Sequence, residues 1–247
     1  MKRPRIISVG EVLWDLFPDG ERFGGAPANF ACHAALQGAD ATMLSAVGDD
    51  DRGRDAIEIL RGYDVDVGLI QTVPDAPTGT VGVKLDDEGK PTYVINEGSA
   101  WDQMTWDDQI VSRLASADAV CFGTLGQRSP IARQTIRRSI EKAADAGVTR
   151  IVDINLRSPF YDSETIRDSL QLATILKLSD EELNTVVSAC GVAKSSNIEA
   201  MLGAVLPFGG LDSIVMTRGL RSSVNATVIE PHRRKPVATP VSASNSP

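Results

Sequence analysis

Short apolar runs alternate with helical patterns along most of the chain, and this alternation constrains the fold more than any other feature. Apolar runs at 6–9, 42–47 and 150–154 predict strands, while the patterns at 52–61 and 131–146, each followed by glycine, predict helices. Strand–helix–strand units need crossover connections, which make strands parallel and place helices on the sheet faces. The sequence therefore predicts an α/β fold, a three-layer α/β/α sandwich with a mostly parallel central sheet.

One region interrupts this alternation. Residues 80–85 alternate polar with apolar side chains, residues 86–91 contain turn formers, and residues 92–95 suit a returning strand. A two-stranded ribbon is marginally stable by itself. The region therefore predicts a hairpin that packs on another part of the chain.

The composition is that of a folded, slightly acidic protein. The 247 residues are 42% hydrophobic, and the formal net charge is -8 at pH 7. A nucleic-acid binder needs a basic face, so we expect no nucleic-acid partner. No apolar run has the length of a signal-peptide core or a membrane span, and the three cysteines fit no disulfide or metal pattern. We therefore expect a cytoplasmic protein with no membrane partner.

The last residues differ in composition from the rest. Residues 231–247 are rich in proline and serine and include the basic run Arg233-Arg234-Lys235. Such a composition is typical of a disordered segment. The sequence predicts one α/β domain over 1–230 and a disordered or aberrant tail over 231–247.

The run Gly24-Gly25-Ala26-Pro27-Ala28-Asn29 has the features of a ligand-binding helix start. Two glycines let a ligand approach the backbone because no Cβ stands in the way. Pro27 suits the first helical turn, and the Asn29 amide both donates and accepts hydrogen bonds. A neutral polyol such as a sugar fits this arrangement better than a phosphate.

This run is followed by Val47-Gly48-Asp49-Asp50-Asp51-Arg52-Gly53, and the pair resembles the sugar-binding signature of the ribokinase-like (PfkB) carbohydrate kinases, closest to bacterial fructokinases. The resemblance implies that Asp15, Gly24, Gly25 and Asn29 bind the sugar. For Asp15, the alternative is a loop carboxylate that caps a turn.

The resemblance also implies roles for neighbouring segments. Gln127 would lie beside the sugar pocket. The segments near 11–24 and 69–97 would form a small β lid, which often mediates dimer contact in the family. A peripheral hairpin on a Rossmann-like domain is the alternative to the lid.

Polar residues also follow three later strands, in the runs Asp153-Ile154-Asn155-Leu156-Arg157, Lys177-Leu178-Ser179 and Thr217-Arg218-Gly219. The resemblance implies that Lys177, Ser179, Thr217 and Gly219 contribute to an ATP site. It also implies that Arg157, the one candidate for a catalytic role, contacts phosphate or sugar. A salt bridge to a nearby carboxylate is an equal alternative for Arg157.

Glu182 stands three residues after Ser179, which is the spacing of a capping box at a helix start. That structural role is sufficient to explain both residues. The resemblance adds a second role, because the family places a glutamate here that organises Mg²⁺-bound water near the nucleotide phosphates.

The resemblance as a whole implies an ATP- and Mg²⁺-dependent carbohydrate kinase, with fructose as the first expected substrate. Ribose, 2-keto-3-deoxygluconate or another small sugar are the alternatives, and a homodimer through the β lid is expected. A dinucleotide-dependent oxidoreductase is disfavoured, because no glycine fingerprint follows the first strand.

One family element is missing from these residues. The Gly-Ala-Gly-Asp sequence, whose aspartate deprotonates the sugar hydroxyl in the family, does not occur. The catalytic base is therefore unassigned, and the domain over 1–230 is expected to be truncated at its C-terminus. A catalytically inactive sugar-binding remnant is the second hypothesis.

Overall fold

The structure is a computed structural model that describes residues 2–85, 91–218, 225–229 and 237–240, with side chains for 2–82 and 93–218. Backbone packing divides the chain into two compact units, Met1–Val148 and Thr149–Pro247. The division falls inside the single domain predicted over 1–230, immediately before a strand. The domain boundaries read from the sequence stay predictions.

The first unit combines two sheets with helices. Its strands are β1 (Arg5–Val9), β2 (Leu13–Phe17), β3 (Gly20–Gly24), β4 (Asp40–Gly48), β5 (Asp66–Val73), β6 (Gly79–Leu85), β7 (Pro91–Ile95) and β8 (Ala119–Gly123). Its helices are α1 (Ala26–Leu36), α2 (Asp51–Gly62), α3 (Asp108–Ala115) and α4 (Pro130–Asp145), with short 3-10 turns at Ala100–Gln103 and Leu125–Gln127.

The main sheet of the first unit is parallel, with the strand order β8-β1-β4-β5. β4 is buried along almost its whole length, as a central parallel strand covered on both faces must be. Ser8 in β1 is also buried, and its hydroxyl donates to Pro27 O at 2.7 Å in the first turn of α1. This bond satisfies a buried hydroxyl and fixes the start of α1 against the sheet.

The smaller sheet has the strand order β3-β2-β6-β7. β6 and β7 pair antiparallel, so the hairpin expected from the polar–apolar alternation is present. Its turn at 86–90 lies outside the described residues. Trp14 in β2 donates its Nε1–H to Arg52 O at 3.0 Å and meets the Phe23 ring edge-on at 6.0 Å. These contacts pack one face of the smaller sheet against the start of α2.

The second part of the smaller sheet begins at Gly79, later in the sequence than the start of the lid segment expected near 69–97. Asp66–Val73 forms β5, which pairs parallel with β4 and belongs to the main sheet. β5 is an edge strand of mixed burial, so its residues lack the continuous apolar character of β4. Only its hydrogen-bonding partner identifies the sheet to which it belongs.

A carboxylate fixes the loop between β4 and α2. Asp50 is the N-cap of α2, and its Oδ1 accepts from Gly53 N at 2.8 Å. The same side chain accepts from the Thr78 hydroxyl at 2.6 Å and from Thr78 N at 2.8 Å. Partial burial acts to raise the pKa of Asp50, but the hydrogen bonds from Thr78 and Gly53 outweigh it and hold the pKa below its usual value. Asp50 therefore joins the start of α2 to the strand that enters the smaller sheet.

The second unit contains β9 (Thr149–Asp153), β10 (Ile175–Ser179), β11 (Ser213–Thr217), β12 (Asn225–Ile229) and β13 (Val237–Pro240), with helices α5 (Ser163–Leu172), α6 (Asp180–Ala189) and α7 (Ile198–Val205). β9, β10 and β11 are parallel, and β12 and β13 add antiparallel to β11. β13 lies within the predicted tail, most of which falls outside the described residues.

The predicted fold class is confirmed. Four parallel strands in the first unit and three in the second alternate with helices, and the smaller sheet is separate from them. α3 was not expected from the sequence, because it spans only two turns. None of the described helices combines the length and the apolar character needed to cross a membrane.

Replacing Asp50 is expected to destabilise the first unit more than removing an ordinary helix cap. Asp50→Ala removes the cap and leaves the Thr78 donors unpaired, so unfolding should become easier by about 2–4 kcal/mol. Asp107→Ala is the matched control, because Asp107 caps α3 through a single bond to Gln109 N. Urea unfolding, monitored by circular dichroism, measures the free energy of unfolding of both variants. Equal losses would contradict the role given to Asp50.

Candidate active site

Except for Gln127, the predicted site residues that the structure describes fall into two clusters, one in each unit. The first is built around the junction between β3 and α1. Gly25 is the N-cap of α1 and has a φ of 105°, a conformation that favours glycine. A Cβ on Gly24 would lie 2.5 Å from Asp15 Oδ2, and a Cβ on Gly25 would lie 2.5 Å from Glu11 O. Gly25 is therefore required by the backbone around it, whereas a Cβ at Gly24 would displace the Asp15 side chain.

Asp15 follows the first strand and lies in β2 of the smaller sheet, opposite Arg22 of β3 and next to Val81 of β6. This position is within the segment near 11–24 that was expected to contribute to a small β lid. The half-buried carboxylate of Asp15 lies beside Gly24, so the glycine makes room for the acid.

Asn29 lies one turn into α1 with an exposed side chain, on the same face as His33 and Leu36. It borders a cavity of about 570 Å³, whose walls are Phe23, Asn29, Cys32, His33, Leu36, Ile59, Gly62 and Tyr63. Phe23 is the cross-strand partner of Trp14, whereas Asp15 pairs with Arg22, so Phe23 and Asp15 are on opposite faces of the hairpin. Gly24, which contacts Asp15, and Gly25 lead directly into the helix that carries Asn29. Asp15 does not line this cavity.

Gln127 has the contacts of a structural residue. It is 0% exposed, and its amide donates to Gly123 O at 3.0 Å. Its side-chain oxygen accepts from Arg137 Nε at 3.2 Å, and its main-chain oxygen accepts from Arg133 Nε at 2.7 Å. Both ends of the amide are engaged with the protein, so this geometry supports packing rather than the predicted sugar contact.

The neighbouring Arg128 forms a buried ion pair that the sequence did not reveal. Its Nε and Nη2 donate to the Asp102 carboxylate at 2.8 and 2.7 Å, and both side chains are at most 10% exposed. The guanidinium stacks 4.0 Å over the Trp101 ring and also donates to Asn96 O at 2.6 Å. A bidentate pair of this kind fixes geometry well, so Arg128 anchors the segment that returns from β7.

The second cluster lies at the carboxyl ends of β9, β10 and β11. In the strand register, Lys177 is opposite Asp153, and Ser179 is opposite Thr217. Lys177 Nζ donates to both Asp153 oxygens, at 2.9 and 3.1 Å. The Thr217 hydroxyl donates to Leu178 O at 3.4 Å. Three neighbouring strands therefore bring an acid, an amine and two hydroxyls to one edge of the sheet, where open α/β sheets bind ligands.

Glu182, in the first turn of α6, completes this cluster. Its Oε2 accepts from Ser179 N and from the Ser179 hydroxyl, both at 2.8 Å. The capping box predicted from the sequence is therefore confirmed. Its Oε1 accepts from Leu156 N at 2.7 Å, a contact across 26 residues that the sequence pattern did not indicate.

Arg157 and the end of β11 are the remaining members of the predicted phosphate site. The Arg157 side chain is exposed, and its Nη1 donates to Leu156 O at 3.1 Å. The salt bridge considered for Arg157 is not among the ion pairs of the described residues. Gly219 lies outside the described residues.

The Asp153–Lys177 pair was not assigned a role from the sequence, although Asp153 belongs to the polar run at the end of β9. Burial raises the pKa of the Asp153 carboxyl above its ordinary value, although the Lys177 ammonium acts to lower it and Glu182 adds to the rise. A carboxyl that follows a buried strand is the signal that would have identified this pair.

The raised pKa of Asp153 predicts a pH dependence of stability. The pKa of the Asp153 carboxyl is higher in the folded chain than in the unfolded chain. At pH values between these two pKa values, the folded chain binds more protons than the unfolded chain, so the contribution of Asp153 to stability is lost as pH rises through the folded pKa. Relative to Asp153→Asn, wild-type stability should fall over that interval in urea unfolding at a series of pH values. NMR titration of the Asp153 carboxyl measures the pKa directly, and a midpoint at or below that of an unstructured aspartate would contradict this prediction.

Comparison with known proteins identifies the family of this chain. Residues 17–242 match the family described as pfkB family carbohydrate kinase. The chain is 31% identical over 189 residues to a fructokinase from Klebsiella pneumoniae, covering 72% of this chain and 61% of that protein. It is 34% identical over 140 residues to a 2-dehydro-3-deoxygluconokinase from Thermoproteus tenax, covering 56% of this chain and 42% of that protein.

A solved structure shows the same fold. The fructokinase from Xylella fastidiosa with bound ATP superposes with a TM-score of 0.78 at 20% identity, covering 95% of this chain and 74% of that one. The chain spans about three fifths of the length of the Klebsiella fructokinase, as the 61% coverage states. On the match over residues 17–242, the chain belongs to the pfkB family of carbohydrate kinases.

Proposed function

We propose that the protein transfers the γ-phosphate of ATP to a hydroxyl of a small sugar, with fructose as the first substrate to test. The observation that supports this proposal is the β3–α1 junction, where Gly24 packs directly against the half-buried Asp15 carboxylate at the start of the helix that carries the exposed Asn29. A carboxylate and an amide suit the hydroxyl groups of a sugar, and the chain is 31% identical to a fructokinase from Klebsiella pneumoniae.

The sugar end of the site is assigned to Asp15, Gly24, Gly25 and Asn29. The carboxylate of Asp15 accepts hydrogen bonds from sugar hydroxyls, while the Asn29 amide can donate to one hydroxyl and accept from another. Hydrogen bonds to a charged acceptor contribute about 1.5–3 kcal/mol each, which makes Asp15 the principal sugar ligand. The contacts of Gln127 favour leaving it out of this set.

The ATP end is assigned to the carboxyl edge of β9–β11. Lys177 and Arg157 bring positive charge to the phosphate oxygens. The Ser179 and Thr217 hydroxyls, which donate to Glu182 and to Leu178 O in the structure, would exchange these acceptors for phosphate oxygens when ATP binds. The fructokinase from Xylella fastidiosa, which shares the fold, has bound ATP, and this supports ATP as the nucleotide. Gly219 belongs to the same proposed site through the family resemblance alone.

Mg²⁺ fits the donor chemistry of this edge, because Asp153, Glu182 and Ser179 supply the hard oxygen ligands that it prefers. Among the described residues, no group of three or more His, Cys, Asp or Glu side chains is arranged as a metal site. Glu182 would therefore hold the ion through water, with the nucleotide phosphates supplying direct ligands. When bound, Mg²⁺ would neutralise charge on the phosphate oxygens.

The reaction is an in-line displacement. The sugar hydroxyl oxygen forms a bond to the γ-phosphorus while the bond to the β–γ bridging oxygen breaks, ADP leaves, and the hydroxyl proton passes to a base. The described residues contribute positioning and charge neutralisation, with Arg157 close to the transferred group in this proposal. The base is not assigned to any of them.

Two further features of the proposal concern substrate range and assembly. The Thermoproteus tenax relative makes 2-keto-3-deoxygluconate the first alternative substrate, with ribose next by family resemblance. The exposed Tyr93 and Val94 of β7 lie on the edge strand of the smaller sheet, which favours a homodimer through this sheet.

A coupled ADP-release assay tests the proposed function. Full-length chain, ATP, Mg²⁺ and each of the three sugars should give ADP formation that depends on the sugar. Calorimetry with the same sugars is run in parallel. Sugar binding without ADP formation would support the second candidate, sugar binding alone, which rests on the absence of Gly-Ala-Gly-Asp from the sequence. The absence of both sugar binding and ADP formation would contradict both candidate functions.

The role of Asp15 can be tested by one substitution. Asp15→Ala should weaken sugar binding about tenfold or more, because it removes a charged acceptor from the sugar hydroxyls. Asp55→Ala is the matched control, since Asp55 is an exposed aspartate of α2 in the same unit. Isothermal titration calorimetry compares both with wild type. An unchanged sugar affinity in Asp15→Ala would remove Asp15 from the site.

A further inference from the structure

The carboxylate of Glu182 does more than cap its own helix. A capping box needs one glutamate oxygen, and Oε2 fills that role by accepting from Ser179. The other oxygen, Oε1, accepts from Leu156 N at 2.7 Å, in the loop that follows β9. One side chain therefore binds the start of α6 and the loop after β9 together.

The loop held by this bond has an unfavourable backbone conformation next to the contact. Asn155 has a φ of 34°, in the left-handed region that non-glycine residues adopt only at a cost. Leu156 follows directly, and the hydrogen bond to its N–H is made by a charged acceptor, which is the stronger kind. The Glu182 carboxylate thus offsets the cost of the turn at Asn155.

The same loop carries Arg157, which forms hydrogen bonds to other residues of the loop. The Arg157 guanidinium donates to Leu156 O at 3.1 Å, and Phe160 N donates to Arg157 O at 2.8 Å. Before the loop, Ile154 N still donates to Lys177 O at 3.0 Å. The backbone on both sides of Arg157 is fixed by these hydrogen bonds, and Glu182 supplies the contact that joins this loop to α6.

We infer that Glu182 is a positioning residue for Arg157: through Leu156 N it fixes the loop that presents the arginine to the anionic group of the substrate. The consequence for ATP binding rests on the proposed function, whereas the fixing of the loop does not. Glu182 thereby acts on the phosphate site through the protein backbone, in addition to any contact with water around a metal ion.

The direct test is amide hydrogen exchange at Leu156 in the ligand-free full chain, followed by NMR. Glu182→Ala should speed this exchange about 10- to 100-fold, because a hydrogen bond to a charged acceptor is lost. Glu181→Gln is the matched control: it removes one negative charge from an exposed residue in the same turn and should leave the exchange unchanged. Exchange at the wild-type rate in Glu182→Ala would overturn the inference.

Glu182→Gln provides a milder variant if the alanine variant does not fold. Glutamine has one acceptor oxygen, and Ser179 presents two donors to it, so the NH₂ group is expected to face Leu156 N. Leu156 exchange should then rise as well. Wild-type exchange in this variant counts against the inference in the same way.

A double-mutant comparison tests whether Glu182 acts through Arg157. ATP affinity is measured by calorimetry, with and without Mg²⁺, for Glu182→Ala, Arg157→Ala and the combined variant. If Glu182 positions Arg157, the combined variant should bind ATP within about twofold of Arg157→Ala, because the two losses are not independent. The inference would be overturned if the two fold-losses in ATP affinity multiplied in the combined variant. It would also be overturned if Glu182→Ala weakened ATP binding only in the presence of Mg²⁺. If neither the wild type nor any variant binds ATP, the proposed function fails. The exchange rate of the Leu156 amide still tests whether Glu182 fixes the loop after β9.

Discussion

Carboxylates that accept main-chain N–H groups hold the functional loops of this protein in place. Asp50 joins the start of α2 to Thr78 N, Asp102 accepts from Ser99 N while it pairs with Arg128, and Glu182 joins Ser179 N to Leu156 N. Bonds to a charged acceptor are stronger than bonds between neutral groups. Each carboxylate also satisfies donors that a loop cannot pair with its own backbone.

These contacts decide what the two clusters can present to a ligand. In the first unit, the absence of a Cβ at Gly24 lets the Asp15 carboxylate pack against the β3–α1 junction, next to the helix that carries Asn29. In the second unit, the Lys177 ammonium donates to both Asp153 oxygens at the edge of three parallel strands. Arg157 is exposed beyond that pair. Because the Lys177 ammonium is paired with Asp153, Arg157 is the exposed cation of this cluster.

Several elements could be predicted from the sequence because their signals are local. The capping box of Ser179 and Glu182 and the glycine-started helix α1 depend on residues within a single turn. The hairpin of β6 and β7 follows from alternation and its turn formers. By contrast, the lid segment expected near 69–97 includes residues 69–73, which belong to β5 of the main sheet. The pairing partner, β4, decides this position.

The sequence by itself determined the alternation of strands and helices, the Cβ-free junction at Gly24 and Gly25, and the family to which these motifs belong. The tertiary structure decided that Gln127 is buried, that Lys177 pairs with Asp153, and that Glu182 reaches Leu156. The physical reason is the distance along the chain. A cap or a turn is set by neighbours, whereas the partners of Lys177 and Glu182 are 24 and 26 residues away and meet only when parallel strands align their carboxyl ends.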